Sequence, residues 1–173
     1  MKDTTLFRHN LAVGQTVEEA VTKELQMLLP GYEVINTDQS DPIERFKYSL
    51  VDVVVMKGDH VCFGIECKLG KKKLLNCKTQ NGWDGDYNTP LNNSSLMKYK
   101  EAYFPVWILN INKFCKKAFA APLDVVLKSP HDTGKNVKWS GEVIYNNDSR
   151  GWTVYEGDFK LSDILKDIIK KEL

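Results

Sequence analysis

The stretch Ser49–Lys71, SLVDVVVMKGDHVCFGIECKLGK, constrains the fold of this chain more than any other. Two apolar, β-branched runs, Leu50–Met56 and His60–Cys67, are separated only by Lys57-Gly58-Asp59. The pattern predicts an antiparallel hairpin in which Gly58 supplies the positive φ that a tight turn needs. Side chains alternate along a strand, so Glu66 and Lys68 share one face while Cys67 points to the other. Pairing about a turn centred on Gly58 sets Asp52, near the start of the first strand, opposite positions 64 to 66. Asp52, Glu66 and Lys68 are therefore expected to converge to roughly the 5 Å of a cross-strand pair.

Two carboxylates and a lysine at the end of a hairpin suit a hard divalent cation. Mg²⁺ prefers oxygen ligands, keeps several waters, and is usually held by one or two carboxylates plus substrate phosphate. A lysine beside it can orient or deprotonate the attacking water and offset charge developing on a phosphate. The bland reading of the same residues is a surface ion-pair ladder, which contributes little stability and is common. Asp52, followed fourteen positions later by Glu66-Cys67-Lys68, resembles the motif of the PD-(D/E)XK nuclease superfamily, which includes small type II restriction enzymes and Holliday-junction resolvases. Val51 stands where that motif is usually written with proline. The resemblance implies an α/β, restriction-endonuclease-like core, with a mixed β-sheet flanked by helices. It also implies a site in which Asp52, Glu66 and the Cys67 carbonyl hold Mg²⁺, with Mn²⁺ as substitute, and Lys68 positions the nucleophilic water.

A first helix is expected from about Thr16 to before Pro30-Gly31, with Val17, Ala20, Val21, Leu25 and Leu28 as its buried stripe. Thr16 and Glu19 have the spacing of a capping box. At about 100° per residue, Glu18 falls at the edge of the stripe and Glu19 on the far side. Glu18 is thus the candidate for the helix-borne acid, ligand or base, that some members of the superfamily add. Its alternative is a first-turn glutamate that merely favours the helix dipole. Glu24, near the middle of the stripe, has no explanation in the pattern.

Tyr32–Thr37 reads as a short strand and Asp38–Tyr48 as a polar connection. Gly70–Asn93 is a long polar segment, functional or disordered by its length. Its Lys71, Lys72, Lys73 and Lys78 suit phosphate oxygens, and Asn76, Gln80 and Asn81 suit base edges, so it is the leading DNA-contacting candidate; a solvated loop with a lysine run is the alternative. Ser94 or Ser95 can cap a helix over Leu96–Tyr103, with Lys98 and Lys100 as further DNA contacts. Val106–Ile111 is continuously apolar, as befits a central strand covered on both faces. Phe119–Leu127 reads as a strand interrupted by Pro122. Val137–Tyr145 and Gly151–Tyr155 read as an extra C-terminal hairpin turned at Asn146-Asn147-Asp148, with Trp139 and Trp152 paired across it. A helix from about Ser162, striped by Ile164, Leu165, Ile168 and Ile169, either packs on the sheet or meets a second copy. Helix, three strands, helix, strand is the core order of the restriction-endonuclease fold, and the resemblance extends over about residues 14 to 112.

With 173 residues and 42% hydrophobic content, the chain suits one nuclease domain: a core over about 14–127 and the hairpin and helix over about 136–173. A net charge of +1 decides nothing, because a basic groove can coexist with an acidic remainder. The four cysteines make no CxxC pair and no zinc pattern with His9, His60 or His131, so reduced thiols are expected. No apolar run approaches a membrane span and Met1–Asn10 lacks a signal peptide's apolar core, so a cytoplasmic protein is expected; the resemblance implies a bacterial, archaeal or phage-infected cell. The expected function is a Mg²⁺-dependent DNA endonuclease. A restriction-type or homing-type enzyme would act on duplex DNA as a homodimer, since a palindrome matches a two-fold protein. A structure-selective junction resolvase and a non-catalytic DNA-binding or inhibitory protein with the same fold are the alternatives.

Overall fold

The computed structural model describes residues 16–69, 88–112, 117–129, 142–146 and 150–173. Helix α1 spans Val17–Leu28, and the Thr16 side chain caps it by accepting from the Glu19 N–H at 3.1 Å. Strand β1, Glu33–Asn36, leads through a 3-10 turn, Thr37–Gln39, into a short helix α2, Pro42–Lys47. The polar connection read over 38–48 therefore holds two helical turns. Asn36 and Asp41 start them as side-chain caps, and Pro42 occupies the first turn of α2, where its missing N–H costs nothing.

The hairpin forms as β2, Val53–Lys57, and β3, His60–Leu69, in antiparallel register with Val53 opposite Ile65 and Val54 opposite Gly64. Gly58 sits at its turn with φ +60°. The six-stranded main sheet has the order β1-β2-β3-β5-β6-β8, with β5 at Val106–Asn112, β6 at Lys117–Pro122 and β8 at Thr153–Glu156. Only β3 and β5 run parallel, so the sheet is mixed. Helix α3, Asn93–Lys100, precedes β5 on the path between those two parallel strands.

The sheet separates two apolar cores. On one face α1 and the last helix α5, Leu161–Glu172, cover Val53, Val55, Phe63, Ile65, Trp107, Leu109 and Ile111. On the other, Leu96 and Tyr99 of α3 pack with Val54, Val106, Ile108 and Phe119. Strand β5 contributes to both cores, as the apolar run Val106–Leu109 anticipates. Helix α5 buries Ile164, Leu165 and Ile168 within the chain, and Glu172 accepts from the Trp107 indole N–H at 2.9 Å. The first of its two expected packings is thus the one observed. No helix among the described residues is long and apolar enough to cross a membrane, and Cys62 and Cys67 are free thiols.

Several expectations are corrected. Positions 88–92, read as the end of a loop, form β4, Asn88–Asn92, which pairs antiparallel with β7, Glu142–Asn146. Pro90 and the flanking asparagines hide a strand that belongs to a small separate sheet, where proline is tolerated. Among the described residues the expected C-terminal hairpin pairing is not seen: β7 has β4 as its partner and β8 extends the main sheet beside β6. Trp139 lies outside the described residues; Trp152 is buried and donates from its indole N–H to Ser129 Oγ at 3.2 Å. Pro122 ends β6, and Leu123–Leu127 continues as helix α4, since proline cannot extend a ladder but can open a helix. Asn92, not a serine, caps α3, accepting from the Ser94 N–H at 2.9 Å, so the helix starts three residues earlier than expected.

Gly64 marks the tightest backbone approach near the site. A Cβ there would lie 2.8 Å from Phe104 Cε2 and 2.8 Å from Val51 Cγ1, and both side chains are buried. Gly64→Ala is expected to lower unfolding free energy by about 1–3 kcal/mol, the cost of overpacking a filled core. Denaturant unfolding checks this; an unchanged midpoint would mean that Val51 and Phe104 can yield freely.

Candidate metal centre

Asp52 immediately precedes β2 and is fixed through its backbone. Its carbonyl accepts from the Thr37 N–H at 2.8 Å, and the Thr37 hydroxyl donates to the adjoining Val51 carbonyl at 2.5 Å. On the other side, the chain arrives from α2 through Ser49 and Leu50, both left-handed with φ 54° and 60°. Non-glycine residues rarely adopt that conformation, and two in succession at this point set the direction in which Val51 and Asp52 enter the sheet. The Asp52 side chain is in turn held by β3, since the Cys67 N–H donates to Oδ2 at 2.9 Å.

Glu66 sits across the hairpin from Asp52, as the register predicts. Its Oε2 accepts from the Asp52 N–H at 3.3 Å, and its Oε1 lies 2.9 Å from Lys68 Nζ. The buried Tyr99 of α3 brings its phenol under the influence of the Glu66 carboxylate. The structure thus brings Asp52, Glu66 and Lys68 together. Cys67, expected to lend its carbonyl, meets Asp52 through its amide, while its thiol turns into the α1-side core.

Glu18, in the first turn of α1, joins this end of the sheet. Carboxylate oxygens of Glu18, Asp38 and Asp52 all lie within 4.8 Å of one another. Asp38 was not anticipated. It is placed by the 3-10 turn that Asn36 caps, with the Asp38 N–H donating to Asn36 Oδ1 at 3.1 Å, and Asp/Asn-rich loops give no pattern that singles out one member. Arg45 of α2 was also missed. Its Nη2 lies 2.7 Å from Asp38 Oδ1 and 3.6 Å from Asp52 Oδ1.

The electrostatics follow from burial. Asp52 is 6% exposed and Glu66 3%. Burial pushes the Asp52 carboxyl up to about 8, and the neighbouring Glu66, Glu18 and Asp38 charges add to the shift against the opposing Cys67 N–H bond. Arg45 does not reverse this, because its short contact goes to Asp38. Burial opposes the charged form of Lys68, but the Glu66 charge and hydrogen bond, with Asp52 behind them, outweigh it and hold the ammonium above the usual lysine range. Burial and Glu66 likewise push the Tyr99 phenol up, so Tyr99 remains a donor. An all-oxygen donor set with excess negative charge is what a hard divalent cation fits.

Of the expected DNA contacts, Lys71, Lys72, Lys73, Asn76, Lys78, Gln80 and Asn81 lie outside the described residues. Lys98 is placed beside α2, with its ammonium 6.0 Å from the centre of the Phe46 ring and 3.5 Å from Glu101 Oε2. Lys100 is not with the carboxylates; it lines a hollow with Pro105, Pro122, Asp124 and Glu172. No family model matches the chain, and the search of curated proteins finds no match either.

Proposed function

We propose that this protein is a divalent-cation-dependent DNA endonuclease of the PD-(D/E)XK kind, hydrolysing phosphodiester bonds. The observation that carries the reading is the juxtaposition of two buried carboxylates, Asp52 and Glu66, with two more from Glu18 and Asp38 and with the Lys68 ammonium. A surface ion-pair ladder would leave such groups in water, where they cost and contribute little. Here Asp52 and Glu66 are almost fully buried beside each other, an arrangement that opposes folding unless a cation completes it. The mixed six-stranded sheet flanked by helices is compatible with a restriction-endonuclease-like core.

Asp52, Glu18 and Asp38 are the residues best placed to hold Mg²⁺, with Glu66 beside them. Bound there, the ion would supply Lewis-acid activation of water and neutralisation of phosphate charge. The chain's own part is positional. Thr37 and the Cys67 amide fix Asp52, the Asp52 amide fixes Glu66, and Glu66 fixes Lys68. Because Lys68 stays protonated at neutral pH, it suits hydrogen-bonding to water and balancing developing negative charge rather than abstracting a proton. The lysine-bearing segment after β3 remains the proposed DNA-contacting region, and a homodimer the proposed assembly for a palindromic duplex.

A second reading, a structure-selective junction resolvase, is favoured by the presence of Glu18 in the acidic group, since a helix-borne glutamate is what the resemblance to resolvases implied. The expected C-terminal hairpin, one ground for base readout, is not seen among the described residues. Incubation with plasmid, linear duplex and four-way junction separates the two. Cleavage should need Mg²⁺ or Mn²⁺ and stop in EDTA, while Ca²⁺ should permit DNA binding with little turnover. Full cleavage in EDTA with divalent ions removed would overturn the mechanism.

A further inference from the structure

Arg45 occupies ground that the proposed cation needs. Its Nη2 contacts both Asp38 Oδ1, at 2.7 Å, and Asp52 Oδ1, at 3.6 Å, and these two acids with Glu18 make the group whose oxygens gather within 4.8 Å. We infer that Arg45 is a built-in counterion that competes with the divalent cation for Asp38 and Asp52, so that cation binding releases the guanidinium from the acidic group. The inference rests on the nuclease reading for the identity of the competing cation.

The guanidinium is poorly matched to its partners. Arginine binds a carboxylate best through two parallel N–H bonds, whereas here one nitrogen serves two different acids and the buried Nε has no hydrogen-bond partner among the described residues. An orphaned buried donor costs free energy that release into water recovers. The path outward is open: the Arg45 side chain is 36% exposed, and helix α2, which carries it, has no buried residue. Its neighbours Ile43 and Phe46 are exposed, and the helix is anchored instead through the buried Tyr48 at its C-cap. The charge balance points the same way. Glu18, Asp38 and Asp52 bring three carboxyl groups together against the Arg45 guanidinium. A divalent ion satisfies that excess better, and repulsion between it and a guanidinium against the same oxygens favours one occupant at a time.

The competition predicts that removing the charge tightens cation binding, the opposite of what losing a structural ion pair does. In Mn²⁺ titrations of the full chain followed by calorimetry, Arg45→Gln should bind about tenfold or more tightly than wild type, the scale of removing one charge a few ångströms from a divalent ion at a half-exposed site. Arg45→Lys, which keeps the charge, should stay near wild type. In the wild-type protein the Arg45 Nε–H resonance should shift and exchange faster with water as Mg²⁺ is added, a reading that does not depend on any variant folding. Equal or weaker Mn²⁺ binding by Arg45→Gln, or an Nε–H resonance that ignores a saturating cation, overturns the competition and leaves the nuclease reading standing. If neither wild type nor Arg45→Gln binds a divalent cation, both fall together.

Discussion

Asp52→Asn is expected to abolish detectable cleavage while making the cation-free protein more stable. The asparagine amide oxygen can still accept from the Cys67 N–H, which donates to Asp52 Oδ2 at 2.9 Å, and its NH₂ can turn toward Glu18 and Asp38, so the backbone around the site is kept. What is removed is a buried negative charge. The Asp52 carboxyl titrates near 3.8 in an unfolded chain and about 8 in the folded one. Below the lower value both states are protonated and the group contributes nothing to stability. Between the two, the folded state holds a proton that the unfolded state has lost, so stability falls as pH rises, by about 1.4 kcal/mol per unit at most. Above the upper value the penalty is fully present. In EDTA, wild-type melting temperature should therefore decline from pH 5 to 8, and Asp52→Asn should flatten the decline and gain on the order of a few kcal/mol at pH 8. Mg²⁺ should stabilise wild type increasingly over the same range, by binding only the folded state, and should do much less for the variant. A wild-type profile that rises toward pH 8 in EDTA would show that Asp52 is not held at a cost for a cation.

The hairpin was legible because its signals agree: two apolar, β-branched runs and, between them, a glycine where φ must be positive. From that register the meeting of Asp52 with Glu66 follows almost geometrically, and Lys68 follows from being two residues further along the same strand. Glu18 was legible only as a position on a helix face; that it reaches Asp52 depends on how α1 lies on the sheet, which no local pattern encodes. Asp38, Arg45 and Tyr99 fall in the same class. Asp38 is aimed by a 3-10 turn, and Arg45 by a six-residue helix whose apolar residues Ile43 and Phe46 face outward, so that helix has no amphipathic period to find. In the sequence Tyr99 stands between Lys98 and Lys100, yet in the fold it is buried and its phenol senses the Glu66 charge. The C-terminal half misled for a related reason. Sequence-adjacent strands usually pair, but β7 takes a partner more than fifty positions earlier, in a segment whose asparagines and proline read as turn.

Lys68→Ala is expected to lower the single-turnover cleavage rate roughly 100-fold or more, the scale of losing one charge-stabilising or water-orienting group in a transition state. DNA affinity should change little, because a single phosphate contact is a small share of a DNA interface. Stability gives the sharper signature. Lys68 Nζ lies 2.9 Å from Glu66 Oε1, and Glu66 is 3% exposed, so removing the ammonium strips a buried carboxylate of its nearest positive charge. The side chain of Lys68 is itself 30% exposed, so water moderates the loss, and a cost of about 1–3 kcal/mol in EDTA is expected. If the two carboxylates belong to a metal centre, Mg²⁺ takes over the neutralisation and should restore most of that stability without restoring the rate. An ion pair kept only for folding predicts the reverse: a stability loss that Mg²⁺ does not mend. Single-turnover rate, DNA affinity and melting temperature with and without Mg²⁺, measured on one preparation of the variant, separate the two. A folded Lys68→Ala protein that cleaves at near-native rate would remove Lys68 from the chemistry.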